Sequence, residues 1–301
     1  MADSTTTVGR GANRRSARSA WVAWAYLAPA LLLYGGFLLF PLGRAAQYSL
    51  FDWDGLGEST FVGFDNYLEI LFDERLREAF WHALVLVFFF AVLPLVIGLL
   101  LAALLTRSHV RGVGFFRSVI FLPQVIAMVV VAVTWRQIYA PDGPLNGFLR
   151  LVGLGDLARP WLGDYTFTLP AVGLIGTWVC TGLVTVLLMA GMSRVPREQY
   201  EAARLDGAGP VREFFAITLP TVRGEITVAL TLTIVAALKT FDLVYVTTSG
   251  GPGTSTTVPS YEIYRRAFQL GDVGVATAVG IVLTIVVFAI NAVVNVIGDR
   301  K

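Results

Sequence analysis

Six stretches of this chain are long and apolar enough to cross a bilayer, and that constrains its fold more than any motif. They run near 21–41, 80–106, 115–139, 167–192, 225–247 and 272–297. A membrane-spanning helix needs about 20 mainly apolar residues. Within lipid every backbone N–H and C=O must find its partner inside the protein, which favours helices for segments of this length. Charged residues make up only 15% of the 301 and hydrophobic residues 55%, whereas soluble domains carry about 25% charged residues. The expected architecture is an all-α membrane protein: six transmembrane helices forming one domain over residues 21–298.

Basic residues orient such a bundle, because they accumulate on the cytoplasmic side. Arg10, Arg14, Arg15 and Arg18 precede the first span, and Arg107, Arg111 and Arg117 surround the second connection. Arg194, Arg197, Arg204, Arg212 and Arg223 crowd the fourth, and Arg300 and Lys301 follow the last span. The other side holds Arg44, Arg75, Arg77, Arg136, Arg150, Arg159, Arg265 and Arg266, spread over longer connections. Both termini and the loop 193–224 are therefore expected in the cytoplasm. The net charge of +2 is explained by this asymmetry and calls for no nucleic-acid partner. Residues 1–20 have the composition of a disordered tail, and the apolar run after them exceeds a signal-peptide core and reads as an uncleaved anchor. Cys180 is the only cysteine, so no internal disulfide forms. His82 and His109 fall at opposite membrane faces, which argues against a His-based metal site.

The first external connection, 42–79, is acidic, and DNYLEILFDERLREAF within it reads as one short amphipathic helix. Asp65 is its N-cap, and Tyr67, Ile70, Leu71 and Leu76 form its stripe. It reads as a helix lying on the bilayer surface, with a docking site for an external partner as the alternative. The third connection carries one short helix near Leu145–Val152. Pro29, Pro94, Pro123 and Pro170 mark kinks in or near the spans. Gly173, Gly176 and Gly182 allow neighbouring helices to approach closely.

The polar segment Glu198–Pro220, EQYEAARLDGAGPVREFFAITLP, has its own punctuation. Pro196 suits a helix start, and Glu198 opposes the positive end of the helix dipole. Asp206-Gly207-Ala208-Gly209-Pro210 cannot continue a straight helix, so two short helices with a bend at Gly207 are expected. Tyr200, Phe214 and Phe215 are anchors of the kind that dominate interfaces. The segment is either a docking surface or a plain interfacial loop.

A family pattern bears on that choice. Glu201-Ala202-Ala203, Gly207, Ile217 and Leu219-Pro220 resemble the EAA loop of membrane subunits in ATP-binding-cassette importers, type I in architecture. AYLAPALLLYGGFLLFPL, FVGFDNYLEIL, FFRSVIFLPQVIAMVVVAVTWRQIY and LKTFDLVYVTTSGGPGTSTTVPSYEIYRRAF extend the likeness over most of the chain. They are similar to the first of the two permeases in sugar and glycerol-phosphate importers. Six spans and no large external insertion set the chain apart from the maltose-importer member. The resemblance implies that Glu201, Ala202, Ala203, Asp206, Gly207, Ile217, Leu219 and Pro220 couple to an ATPase. It implies a bacterial inner-membrane location and four kinds of partner: membrane lipid, a second homologous permease, two cytoplasmic ATPases and an extracytoplasmic solute-binding protein. It implies no cofactor on this chain, with ATP-Mg on the partner ATPase. No Gly-rich phosphate loop followed by Lys and Ser/Thr occurs, so ATP is bound elsewhere.

Other residues remain open to two readings. Lys239 and Asp242 lie within the fifth span, where a lone charge costs roughly 2.5–3.5 kcal/mol. They either pair at i,i+3 or line a solute path, for which Gln124, Trp178, Thr181, Thr240 and Tyr245 are further candidates. Gly250-Gly251-Pro252 is either an external turn or a contact for the binding protein. An ion-driven secondary transporter is the rival function, but it would favour several intramembrane carboxylates, and only Asp242 is clearly buried in a span. No clustered His, Cys or carboxylate set supports an enzyme.

Overall fold

The computed structural model describes residues 13–107 and 112–299. Residues 1–12, most of the expected tail, lie outside this range. So do His109, Arg111, Arg300 and Lys301. Among the described residues four helices have the length and apolarity of a span, and two sharply bent pairs raise the number to six.

Helix α1 (Asn13–Tyr34) continues through a π turn at Gly35–Leu39 into α2 (Phe40–Tyr48). A two-stranded hairpin, β1 (Phe51–Asp52) and β2 (Thr60–Phe61), pairs Phe51 with Phe61. After it come α3 (Asp65–Phe72) and α4 (Glu74–Val87), and a π turn at Phe88–Val92 leads into α5 (Leu93–Arg107). Next are α6 (Val113–Val125), α7 (Met128–Ile138), α8 (Pro144–Leu151) and α9 (Thr168–Met192). The polar loop folds as α10 (Arg197–Leu205), α11 (Pro210–Glu213), a π turn at Phe214–Thr218 and α12 (Leu219–Thr221). The chain ends with α13 (Arg223–Leu238), α14 (Asp242–Thr247), α15 (Pro259–Arg265) and α16 (Val273–Asp299).

Helix α9 is the axis of the bundle, and its glycines make that possible. A Cβ on Gly176 would lie 1.9 Å from the Phe90 ring, and one on Gly182 2.3 Å from the Ile120 carbonyl oxygen. Bare backbone thus lets the Phe88–Val92 turn and α6 sit directly on α9. The π turn itself follows from Pro94, whose ring removes a helical N–H and displaces the preceding turn. Thr177 on α9 donates its hydroxyl to the Phe89 carbonyl at 2.6 Å, satisfying a group that the disturbed turn exposes.

Two expected spans are not continuous. The third is broken: Ile126 and Ala127 are extended, and α6 and α7 meet at 97°. Pro123 has already removed one helical hydrogen bond in the turn before. The fifth ends at Leu238, and Lys239, Thr240 and Phe241 separate it from α14. At its other end α13 meets the α11–α12 segment at 69°.

The helix expected over DNYLEILFDERLREAF is also two helices. Asp73 stops α3 and caps α4, accepting hydrogen bonds from the backbone N–H groups of Arg75 and Leu76. Asp65 sits in the first turn of α3 and caps nothing with its side chain. Ile70 and Leu76 do not lie on a lipid surface. They are buried against Val275, Ala278 and Val279 of α16.

An ion cluster fastens this corner. The Arg266 guanidinium, nearly buried, reaches Glu69 at 2.6 Å and Asp73 and Asp272 at 2.7 Å. Glu262, fully buried, accepts from Arg75 at 2.6 Å and Arg265 at 3.1 Å. Four elements are held by charges that the sequence scatters over some two hundred positions.

Candidate functional site

Helix α10 forms without burying a single residue. Its stop is a Schellman turn: the Ala208 N–H bonds the Ala203 carbonyl at 2.9 Å and the Gly207 N–H bonds Arg204 at 3.0 Å. Gly207 adopts φ +76°, which glycine reaches without strain. Nothing in this chain lies within 4 Å of a Cβ built there, so within the chain it is backbone conformation that demands the glycine. Pro210 then opens α11 as its first residue.

Two side-chain contacts fold α10 back onto the second half of the loop. Arg204 Nε donates to Glu213 Oε1 at 2.8 Å, and the Tyr200 hydroxyl meets the Thr218 hydroxyl at 2.9 Å. The hydrogen bond and charge of Glu213 hold the Arg204 guanidinium above its usual range. A third pair, Arg194 to Glu225 at 2.9 Å, closes the loop where α9 ends and α13 begins, against the small Gly191. Sequence reasoning missed these contacts. The visible signal for one of them was Glu213, a lone carboxylate beside an apolar run.

The clip leaves a defined surface open. Glu201, Ala202, Asp206, Gly207 and Pro220 are exposed, while Ala203, Ile217 and Leu219 are half-buried. Leu205, Val211 and Phe215 project apolar side chains outward. Beside them, Val211, Phe214 and Phe215 face Leu100 and Leu104 of α5 across a recess of about 730 Å³.

The broken spans gather the other sequence candidates only in part. Lys239 and Asp242 are both exposed and are absent from the ion pairs found among the described residues. The helix break has undone their i,i+3 relation. Lys239 caps the negative end of α13 and Asp242 starts α14 at its positive end, so each opposes the dipole of its own helix. Thr240 between them is buried. Tyr245 stacks on Phe241 with centroids 5.2 Å apart. Trp178 is partly exposed on α9, edge-on to Trp135 at 5.6 Å. Thr181 donates to Thr177 O at 2.6 Å, and Gln124 is exposed beside the α6–α7 break.

The loop after α14 is tightly internal. Thr248 and Thr256 join hydroxyls at 2.8 Å, Thr256 and Thr257 donate to the Gly251 and Gly250 carbonyls, and Thr254 bonds Glu78 at 2.7 Å. Gly250 is buried under Tyr261, Gly251 and Pro252 are half-buried, and Gly253 is exposed.

Residues 79–300, which include every element of the loop, match the family of binding-protein-dependent transport system inner membrane components. The chain belongs to that family. It is an inner-membrane permease subunit of ATP-binding-cassette importers, a transport component and not an enzyme. The permease is 38% identical over 280 residues to the probable ABC transporter permease protein YurN of Bacillus subtilis (strain 168), covering 90% of this chain and 93% of the relative. It is 34% identical to the diacetylchitobiose uptake system permease protein NgcF of Streptomyces coelicolor, covering 90% and 80%. Against the sn-glycerol-3-phosphate transport system permease protein UgpA of Escherichia coli the identity is 33%, covering 92% and 93%. The permease fold also matches the crystal structure of a bacterial ABC transporter involved in the import of the acidic polysaccharide alginate. There the TM-score is 0.82 over 95% of this chain and 98% of the other, at 24% identity, a likeness of fold.

Proposed function

We propose that this permease forms half of the translocation path of an ATP-driven importer for a sugar or sugar-like solute. The α10–α12 loop is its docking element for a cytoplasmic ATPase, with both chain termini on the same side. The observation that carries this is the loop itself: a largely exposed helix with no fully buried residue, yet fixed by a Schellman turn and the Arg204–Glu213 clip. A surface so exposed and so ordered suits a partner that must receive force through it. Leu205, Val211 and Phe215 supply the apolar contact, and Ala202 with Gly207 allows close backbone approach.

In this reading the complex holds a second homologous permease, two ATPases carrying ATP-Mg, and an extracytoplasmic solute-binding protein. ATP binding draws the docking loops together and swings the spans from inward-open to outward-open. The 97° break at Ile126–Ala127 and the break at Lys239–Phe241 leave non-helical backbone at membrane depth, which is tolerated where it is buried in protein or faces water. They support placing the path near Gln124, Trp178, Thr181, Lys239, Thr240, Asp242 and Tyr245. The sugar class is supported by what the relatives are named for, including a diacetylchitobiose and a trehalose/maltose system.

The test is uptake by proteoliposomes holding the whole complex. Accumulation of labelled saccharide should require the binding protein and ATP, and should be insensitive to collapse of proton and sodium gradients. Uptake driven by an ion gradient in the absence of the ATPases would sink the proposal.

A further inference from the structure

The two faces of α5 are built for different neighbours. Toward α9 it presents small residues: a Cβ on Gly98 would lie 2.8 Å from a Val184 methyl, and Ala102 is fully buried. On the other side Val96, Ile97, Leu100 and Leu104 form an exposed stripe at helical spacing. Contacts between membrane helices favour small residues, so this bulky aliphatic stripe suits lipid. At one end the stripe runs into the polar loop. Leu100, Ala103 and Leu104 make one wall of the recess of about 730 Å³, and Val211, Phe214 and Phe215 make the other. Every residue lining it is apolar.

We propose that this recess seats an acyl chain of an anionic phospholipid from the cytoplasmic leaflet, wedged between α5 and α11. From the docking reading this takes only that the loop faces the cytoplasm. The depth fits, because the apolar run of α5 ends at Leu105, before Thr106 and Arg107. The recess thus lies at the inner edge of the hydrocarbon, and it continues the stripe that lipid already covers. The charge fits as well. Between Pro210 and Arg223 the exposed charges are Arg212 and Arg223, and the one acid there, Glu213, is buried and held by Arg204. Basic residues beside the cytoplasmic leaflet attract anionic headgroups. Charged surroundings also disfavour a protein in the recess, since the centres of protein interfaces are depleted of charge. Nor does this chain supply a filler: residues 108–111 carry one apolar side chain, Val110, and residues 1–12 are mostly small or polar.

Such a chain would act on the loop. Val211 and Phe215 are 71% and 61% exposed, so a lipid covering their recess side leaves an outer side for the ATPase. Glu213 in the same short helix holds Arg204 of α10 at 2.8 Å. The lipid therefore backs α11 and, through that clip, α10.

The test places the complex of permeases and ATPases in phosphatidylcholine nanodiscs containing phosphatidylglycerol with a photoreactive diazirine on one acyl chain. Adducts are mapped by peptide mass spectrometry, without ATP or solute, so the result is independent of transport and coupling. They are expected on both walls, within 100–104 and 211–215. Leu100→Trp puts a ring into the recess and should cut adducts at 211–215 about ten-fold. Those on the exposed Ile285 and Phe288 of α16 should not change. Arg212→Gln should lower the wild-type yield to that of the matching diazirine phosphatidylcholine. In the wild type alone, labelling at 211–215 should saturate as the phosphatidylglycerol fraction rises. Adducts on α5 with none at 211–215 overturn the seat, as does a linear rise without saturation, since both describe ordinary contact of a span with lipid. Labelling at 211–215 that Leu100→Trp leaves intact overturns it too. Equal yields from the two headgroups overturn the anionic preference. Labelling of 211–215 only when the ATPases are removed would make the recess an ATPase contact, which keeps the docking reading and overturns the seat.

Discussion

Arg204 Nε lies 2.8 Å from Oε1 of Glu213, and this bond joins the two halves of a loop whose first helix has no core of its own. Glu213 is almost wholly buried and Arg204 is mostly solvated. The clip therefore orients α10 more than it stabilises the bundle. Arg204→Ala is expected to loosen α10 locally without unfolding the bundle. Amide exchange over 197–205 should accelerate while the spans stay protected, and solute-stimulated ATP hydrolysis should fall with insertion unchanged. Unaltered exchange in α10 would show that the clip does not hold it.

Gly207 separates backbone strain from steric clash. Its φ of +76° penalises any side chain with a Cβ, yet the space around it is empty. Gly207→Val should cost about 1–2 kcal/mol and uncouple transport from ATP hydrolysis. Gly207→Asn, which tolerates the left-handed region, should retain most activity. Equal loss in both variants would point to a partner that needs the missing side chain for close contact.

Arg266 touches acids from α3, the α3–α4 junction and the start of α16. Removing a nearly buried cation leaves those carboxylates uncompensated, and Arg266→Met should destabilise by about 3 kcal/mol. Arg266→Lys should recover only part of this, because a point charge cannot fork between separate carboxylates. Thermal unfolding of the purified complex reads both effects. Lysine performing as well as arginine would contradict the geometry.

Lys239 and Asp242 each face the terminus of a different helix. Lys239→Ala and Asp242→Ala should then have additive effects on stability, within about 0.5 kcal/mol in a double-mutant cycle. A coupling energy above about 1 kcal/mol would restore the direct ion pair.

Legibility in the sequence followed the range of the interactions. The bend at Gly207, the start at Pro210 and the helix near Leu145–Val152 depend on a few neighbouring residues, and they were readable. The close approach at Gly176 and Gly182 was readable as permission, though not as to which helix would come. The break at Ile126–Ala127 and the end of α13 were not: Pro123 marked only a kink near the first, and Lys239 and Asp242 read as charges inside one continuous span. Ile70 and Leu76 were assigned to a surface stripe with Leu71, because such a stripe looks the same whether lipid or α16 covers it; α16 covers those two, and Leu71 stays exposed.

By itself, the sequence determined that this chain is a helical bundle in a membrane and that Glu198–Pro220 is a bent polar loop. Both follow from local physics: backbone groups in lipid must be satisfied within the segment, and glycine and proline act on their own turn. Only the tertiary structure decided which carboxylate Arg266 or Arg204 would find, where two spans would break, and that Tyr245 of α14 would meet Tyr264 of α15. Those outcomes depend on partners far apart in sequence, and the apolar pattern that drives burial carries no address for them.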